Sequence, residues 1–155
     1  MRRKDREIID KDKIIKILDE CKVCRLAMLD SKGLYIVPLN FAYHYENNLI
    51  LYFHSALNGR KINVFKENPN VAFEMDTHHQ LKESDNACQY SYYYQSIIGN
   101  GKIEFANDSE KKEILKLFMK HQTQKDFVFD DKMCRNVCVF KLIVESMSVK
   151  SHEKD

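Results

Sequence analysis

Apolar positions recur at helical spacing near the start of the chain. Ile8, Ile14, Ile15 and Leu18, followed by Cys21, predict an amphipathic helix over about 7–21. Asp10 or Asp12 can cap it by accepting unpaired N–H groups of the first turn. The rhythm then shortens. "CRLAMLD" (24–30) and "LYIVPLNFAYHY" (34–45) read as two strands joined through "SKG", a turn that needs Gly33 at positive φ. Pro38 falls inside the second strand. Proline removes a ladder donor, so it belongs at an edge, at a bulge, or where something other than a strand pairs.

After the turn "ENN" comes "LILYFHS" (49–55), a third strand. "GRKINVFKE" (59–67) predicts a short helix with Ile62 and Phe65 on one face, stopped at "NPN". "VAFEMD" (71–76) alternates as a strand, and "THHQLKESDNA" reads as a polar loop. The aromatic and β-branched run 88–106 predicts a long strand bent at Gly99 and Gly101. A helix over 107–122 carries Ile114, Leu117 and Phe118 as its apolar stripe, with Asp108 or Ser109 as the cap. The last strand spans about 136–149. Six or so strands at hairpin spacing and three helices predict one domain over 1–155, mainly β, its antiparallel sheet closed into a barrel.

Charge narrows the choice of partners. A net charge of +2 gives no global field for nucleic acid or an anionic membrane. No apolar run is long enough to span a bilayer, and the charged start lacks the apolar segment of a secretory signal. The expectation is a cytoplasmic protein with solvated, charged ends. Five cysteines, an odd number, are not a disulfide framework. Cys21 and Cys24 have metal or redox spacing, and Cys134 and Cys138 offer a second pair. The zinc and thioredoxin-like settings are missing, so buried or half-buried thiols and no metal are expected. His78 and His79 are expected in the polar loop, His121 is expected to suit the dipole of its helix end, and the tyrosine cluster is expected at an interface or in the core.

The cations Arg60 and Lys61 begin a helix straight after Gly59. A helix start already has a positive dipole end and unpaired N–H groups, so cations there are unfavourable unless an anion sits nearby. Glycine lets backbone approach a ligand, Arg60 offers a bidentate contact and Lys61 a point charge. Ser55 adds a hydroxyl. On spacing alone the triplet reads equally as a phosphate site or a solvated turn.

"VPLNFAY", "LYFHSALNGRK", "NPNVAFE" and "YYQSIIGNGKIEF", in this order and with the opening "MRRKDREI", resemble the pyridoxamine 5′-phosphate oxidase-like family. Within it they resemble the 5-nitroimidazole-resistance (Nim) group, over nearly the whole chain. The resemblance implies a split β-barrel with FMN at a homodimer interface. It places Val37, Pro38, Leu39 and Asn40 beside the isoalloxazine ring. It gives the phosphate to Ser55, Arg60 and Lys61, and puts His54 near the flavin in a catalytic role. Tyr94, Gln95 and Ser96 would approach the cofactor, with the partner subunit as one route. Cys21, Cys24 and the run Tyr92–Tyr94 depart from the family pattern.

The implied activity is FMN-dependent reduction of a small molecule, with NAD(P)H as a transient electron donor and 5-nitroimidazole-type compounds as candidate substrates. Two other readings share the same residues: a non-catalytic flavin-binding protein for storage or sensing, and a site for pyridoxal phosphate or haem.

Overall fold

The computed structural model describes residues 3–153, so the two outermost residues at each charged end lie outside it. A 3₁₀ turn (Lys4–Arg6) precedes helix α1 (Lys11–Glu20). Strands β1 (Val23–Asp30), β2 (Gly33–Asn40), β3 (Ala42–Tyr45) and β4 (Leu49–Ser55) follow, then α2 (Arg60–Glu67), β5 (Asn70–Lys82), β6 (Ser91–Phe105), α3 (Asp108–Thr123), α4 (Asp131–Arg135) and β7 (Cys138–His152). All seven strands form one antiparallel sheet in the order β2-β1-β5-β6-β7-β4-β3. The edge strands β2 and β3 are consecutive in the chain, separated only by the buried Phe41. The sheet is a barrel split between them, not the fully closed one expected from strand spacing.

Inward-facing side chains alternate as a half-buried strand requires. Leu26 and Met28 of β1, Leu51 and Phe53 of β4, Phe73 and Met75 of β5, and Phe140 and Leu142 of β7 fill the interior. Helix α1 contributes Ile14, Ile17 and Leu18 to the same cluster, and α2 contributes Ile62, Val64 and Phe65. Phe140 stacks on Phe53 at 5.4 Å and meets Phe65 at 5.1 Å. A second cluster lies outside the sheet, where Ile114, Leu115 and Cys134 of α3 and α4 bury Val139.

Several expected boundaries are corrected. Asp10 caps α1 through the Lys13 N–H, so Ile8 precedes the helix rather than lying in its stripe. The predicted 34–45 strand breaks at Phe41, where the chain passes from one sheet edge to the other. Residues 77–82 extend β5 instead of looping, because a bulge at His78–His79 opposite Tyr94 keeps the ladder with β6 intact; His78 takes φ 59° there. Residues 87–89 form a 3₁₀ turn, and the long strand starts at Ser91. Asn107, not Asp108 or Ser109, caps α3 in a capping box with Glu110. α4 was not expected, and the break at Phe41 makes seven strands of the six expected. Gly33 does sit at φ 107° in the β1–β2 turn, and Pro38 lies on an edge strand.

The expected bend at Gly99 and Gly101 is present and has a clear cause. Glu145 is an extra residue in β7, which shifts the β6–β7 register at Asn100–Gly101. A Cβ on Gly101 would stand 2.0 Å from the Ile143 carbonyl oxygen, and one on Gly99 would stand 2.3 Å from that of Ser146. The glycines let two long strands coil closely at the barrel corner. Gly101→Ala should destabilise the protein by about 1–3 kcal/mol, the usual cost of overpacking. Urea denaturation checks this, and a midpoint equal to that of the parent chain would contradict it.

Candidate functional site

Strand β4 ends at Ser55, and four residues later α2 begins with Arg60 and Lys61. The other three α-helices have an Asp or Asn side chain capping the N-terminus and an acidic residue in the first turn. α2 has neither: Gly59 is its N-cap, at φ 144°, with no side-chain cap bond and no acid in the first turn. Its first N–H groups therefore have no side-chain acceptor, and two cations stand beside them.

The two cations diverge. The Arg60 guanidinium reaches the tip of the β1–β2 hairpin. There Nε and Nη2 donate to Asp30 Oδ2 and Oδ1 at 2.8 and 3.0 Å, and the guanidinium lies 4.4 Å from the Tyr35 ring centroid. These donated bonds hold the guanidinium proton even more firmly than usual, and lower the Asp30 pKa. Lys61 makes no side-chain hydrogen bond or ion pair among the described residues; desolvation raises the pKa of Cys138, the residue paired with Ser55, and the charges of Lys111, Lys66 and Lys61 offset part of that. Arg60, Lys61 and Ser55 thus frame one end of the sheet, although the Ser55 hydroxyl is donated to the Ala56 carbonyl at 2.9 Å.

The remaining predicted contacts line β2 and its far end. Val37 and Leu39 turn inward onto the core, while Pro38 and Asn40 are exposed on the outer face. Tyr35 to Asn40 spans roughly 17 Å at the strand rise of about 3.4 Å per residue. Asn40 is already employed: its side-chain amide donates to the Lys22 carbonyl at 2.9 Å. Ser96 faces Asp76, which pairs with Arg25 at 2.7 Å, and Arg25 is the partner of Pro38 in the ladder. The cross-strand row of Pro38 runs through Arg25 and Glu74 to Ile98, and the Arg25–Asp76 ion pair links it to the neighbouring row that holds Ser96.

Tyr94 and Gln95 line a groove of about 470 Å³ with Ile17, Glu20, His78 and His152. Gln95 donates to Glu153 at 2.6 Å, but its Oε1 is buried without a hydrogen-bond partner among the described residues. The tyrosine cluster is not core. Tyr90 and Tyr92 are exposed, and Tyr93 and Tyr94 half-buried.

His54 lies on the outer face of β4 beneath α3, its ring edge-on to Phe118 at 4.4 Å. Its Nδ1 is buried with no hydrogen-bond partner among the described residues, and desolvation pushes its pKa down. His121 is also buried, rather than a cation serving the helix dipole. Its Nε2 donates to the Cys21 carbonyl at 3.1 Å, and burial together with the Lys22 charge lowers its pKa. Cys21 and Cys24 are buried free thiols. Desolvation pushes Cys21 up to about 12 and Cys24 higher, so neither is a ready nucleophile. Among the described residues no group of three or more His, Cys, Asp or Glu is placed to hold a metal, and no helix is long and apolar enough to cross a membrane.

The family profile described as pyridoxamine 5′-phosphate oxidase matches residues 10–150. The chain belongs to this family. A crystal structure of a candidate 5-nitroimidazole antibiotic resistance protein from Bacteroides thetaiotaomicron is 36% identical, with TM-score 0.79, over 93% of this chain and 85% of that one. The FAD- and haem-binding protein of Mycobacterium smegmatis shares the fold at TM-score 0.82 and 15% identity, over 96% of this chain and 74% of its own. A flavocytochrome from Azotobacter vinelandii does so at 0.82 and 17%, over 99% and 72%. No curated protein sequence matches. The fold is the split barrel of this family, shared with the FAD- and haem-binding protein and the flavocytochrome.

Two residues at the candidate site were not expected from the sequence: Asp30 and Tyr35, which hold Arg60. Their signal was present as an acid and an aromatic flanking the Gly33 turn, but only the fold brings them to α2.

Half-buried His54 and buried His121 give a pH dependence of known sign. Their folded-state pKa values lie below the 6.5 of a free imidazole. The unfolded chain therefore binds more protons as the pH drops below 6.5, so stability holds above that value and falls beneath it. Thermal unfolding should show Tm declining from neutral pH to about pH 5. His121→Gln should lower Tm at neutral pH and flatten the decline; an equally steep decline would contradict it.

Proposed function

We propose that this chain binds FMN and, as a homodimer, catalyses reduction of a small molecule, with nitroaromatic compounds of the 5-nitroimidazole type as the candidate substrates. The observation that carries the reading is the α2 start: an N-terminus with no acidic cap, two cations and the end of β4 together. These residues fit a phosphate monoester. Arg60 and Lys61 would hold its oxygens with the first α2 N–H groups and Ser55, and β2 would run alongside the ring system, its outer backbone edge unpaired by any strand.

Bound FMN would supply the electron-transfer chemistry, with NAD(P)H as the donor. The chain's part is to bind, orient and manage protons. Reducing a nitro group to a nitroso group takes two electrons and two protons and releases water. His54, neutral because it is half-buried, has an unspent Nδ1 with which to hold a proton. Pro38 and Asn40 would border the ring. Tyr94, Gln95 and Ser96 would close the far end, where the buried Gln95 Oε1 can accept a donor.

The dimer reading rests on the outer face of β2 and its neighbours. Leu34 and Ile36 are 84% and 63% exposed, beside Leu29 at 54% and Ile98 at 47%. The cross-strand pairs Leu29–Leu34 and Ala27–Ile36 make this face continuous. Such a patch favours a partner surface of the same chemistry, and a second copy of the chain supplies it. A second reading, flavin binding without turnover, is favoured by the edge-on packing of His54 against Phe118, which restricts its ring.

Purified protein should be yellow and release FMN identified by mass. NAD(P)H should bleach it, and an added nitroimidazole should restore the colour. Bleaching without such recovery under every substrate tried would leave binding alone, and a colourless protein that takes up no added FMN would sink the flavin reading. Lys61→Met should weaken FMN by about tenfold or more, the loss of one charge-assisted contact, and leave riboflavin unchanged. Ile36→Asp should shift the protein from dimer to monomer in sedimentation. An unchanged dimer would show that another face is used.

A further inference from the structure

The geometry at the β1–β2 hairpin points to Asp30 and Tyr35 as positioning residues that preset Arg60 for phosphate, an inference that rests on the flavin reading above. Arginine has five N–H donors in a rigid fork. Asp30 takes the Nε–H and one Nη2–H, and Tyr35 lies against the guanidinium at 4.4 Å. Nη1 makes no hydrogen bond among the described residues, so one side of the fork stays available.

Asp30 is itself fixed independently of any ligand. Its Oδ1 also accepts the Lys32 N–H at 2.8 Å, a bond that belongs to the hairpin turn, and its side chain is only 11% exposed. The anchor is therefore built by the fold, and the guanidinium is held on two sides before phosphate arrives. An arginine free in solvent loses rotamer freedom on binding; one already held does not. Asp30 is a carboxylate near an anion site, so its charge alone opposes phosphate. Its contribution is orientation, and it acts through Arg60.

This sign difference makes a clean test. Asp30→Asn removes a repelling charge but keeps an oxygen for the Lys32 N–H. Tyr35→Leu changes no charge and fills the same half-buried position. FMN and riboflavin affinities are measured by flavin fluorescence for the full chain, each variant, and each combined with Arg60→Ala. Both single variants should weaken FMN about two- to tenfold, the effect of having to immobilise one long side chain, with riboflavin unmoved. In the Arg60→Ala background neither should matter further.

FMN affinity that is unchanged or tighter in Asp30→Asn, with Tyr35→Leu unaffected, overturns the positioning role alone. Equal losses of FMN and riboflavin overturn it too, as general damage. A parent chain that binds FMN no better than riboflavin overturns the phosphate grip and this inference together, and one that binds neither overturns the flavin reading as well.

Discussion

Between Asn40 and Ala42 the chain advances through one residue, yet β2 and β3 are opposite edges of a seven-stranded sheet. Laid flat, with strands about 4.8 Å apart, those edges would be roughly 29 Å from each other. Two Cα steps cover at most about 7 Å. The sheet must curl until its edges nearly meet, and Phe41 is the pin of the seam. The C-terminal end of α3 fastens it. Gln122 donates to the Phe41 carbonyl at 2.7 Å, His121 packs 5.0 Å from the Phe41 ring and donates to Cys21, and Lys22 returns a bond to the His121 carbonyl at 2.9 Å. Curling also needs irregularity in the long strands, which Gly99, Gly101, the extra Glu145 and the His78–His79 bulge provide.

The seam explains why the candidate site lies along β2. A closed barrel would have paired that strand on both sides. Here one backbone edge has no strand partner among the described residues, its outer Leu34 and Ile36 are exposed, and α2 delivers Arg60 to the β1–β2 tip. β2 therefore forms a rail from the hairpin tip that holds Arg60 to Asn40 at the seam, and the proposed cofactor would lie along it. His54 stands apart from the rail, on the α3 side of β4. Its proposed proton chemistry consequently depends on how far α3 leaves its ring accessible.

Local rules carried much of this in the sequence. Alternation gave most strands, the Asp10 cap and the Gly33 turn were readable, and the family resemblance was borne out by the match over residues 10–150. What was not readable depended on contacts distant in sequence. Thr77 to Lys82 look like a loop because their side chains are polar, but β6 pairs their backbone regardless of side chain. Nothing local marks Phe41 as a break, since its burial arises only when the two edges meet. Asn40 fits a ligand contact by type, whereas the fold also spends its amide on Lys22. His121 was assigned by its place at a helix end, and burial overrode the dipole.

The α2 start shows how stability and function can be separated by magnitude. A cation in the first turn of a helix costs only about 0.3–1 kcal/mol when exposed. Asp30 offsets part of that for Arg60, so the fold tolerates the arrangement without any ligand. The cations alone therefore discriminate poorly between a surface turn and an anion site. What bears on the choice is the helix start itself: Arg60 is fixed on the hairpin tip, and α2, unlike the other three α-helices, has no side-chain cap and no acid in its first turn. A solvated turn needs neither feature. A phosphate on the helix axis would use both, because the uncapped N–H groups and the free side of the held guanidinium would then donate to its oxygens.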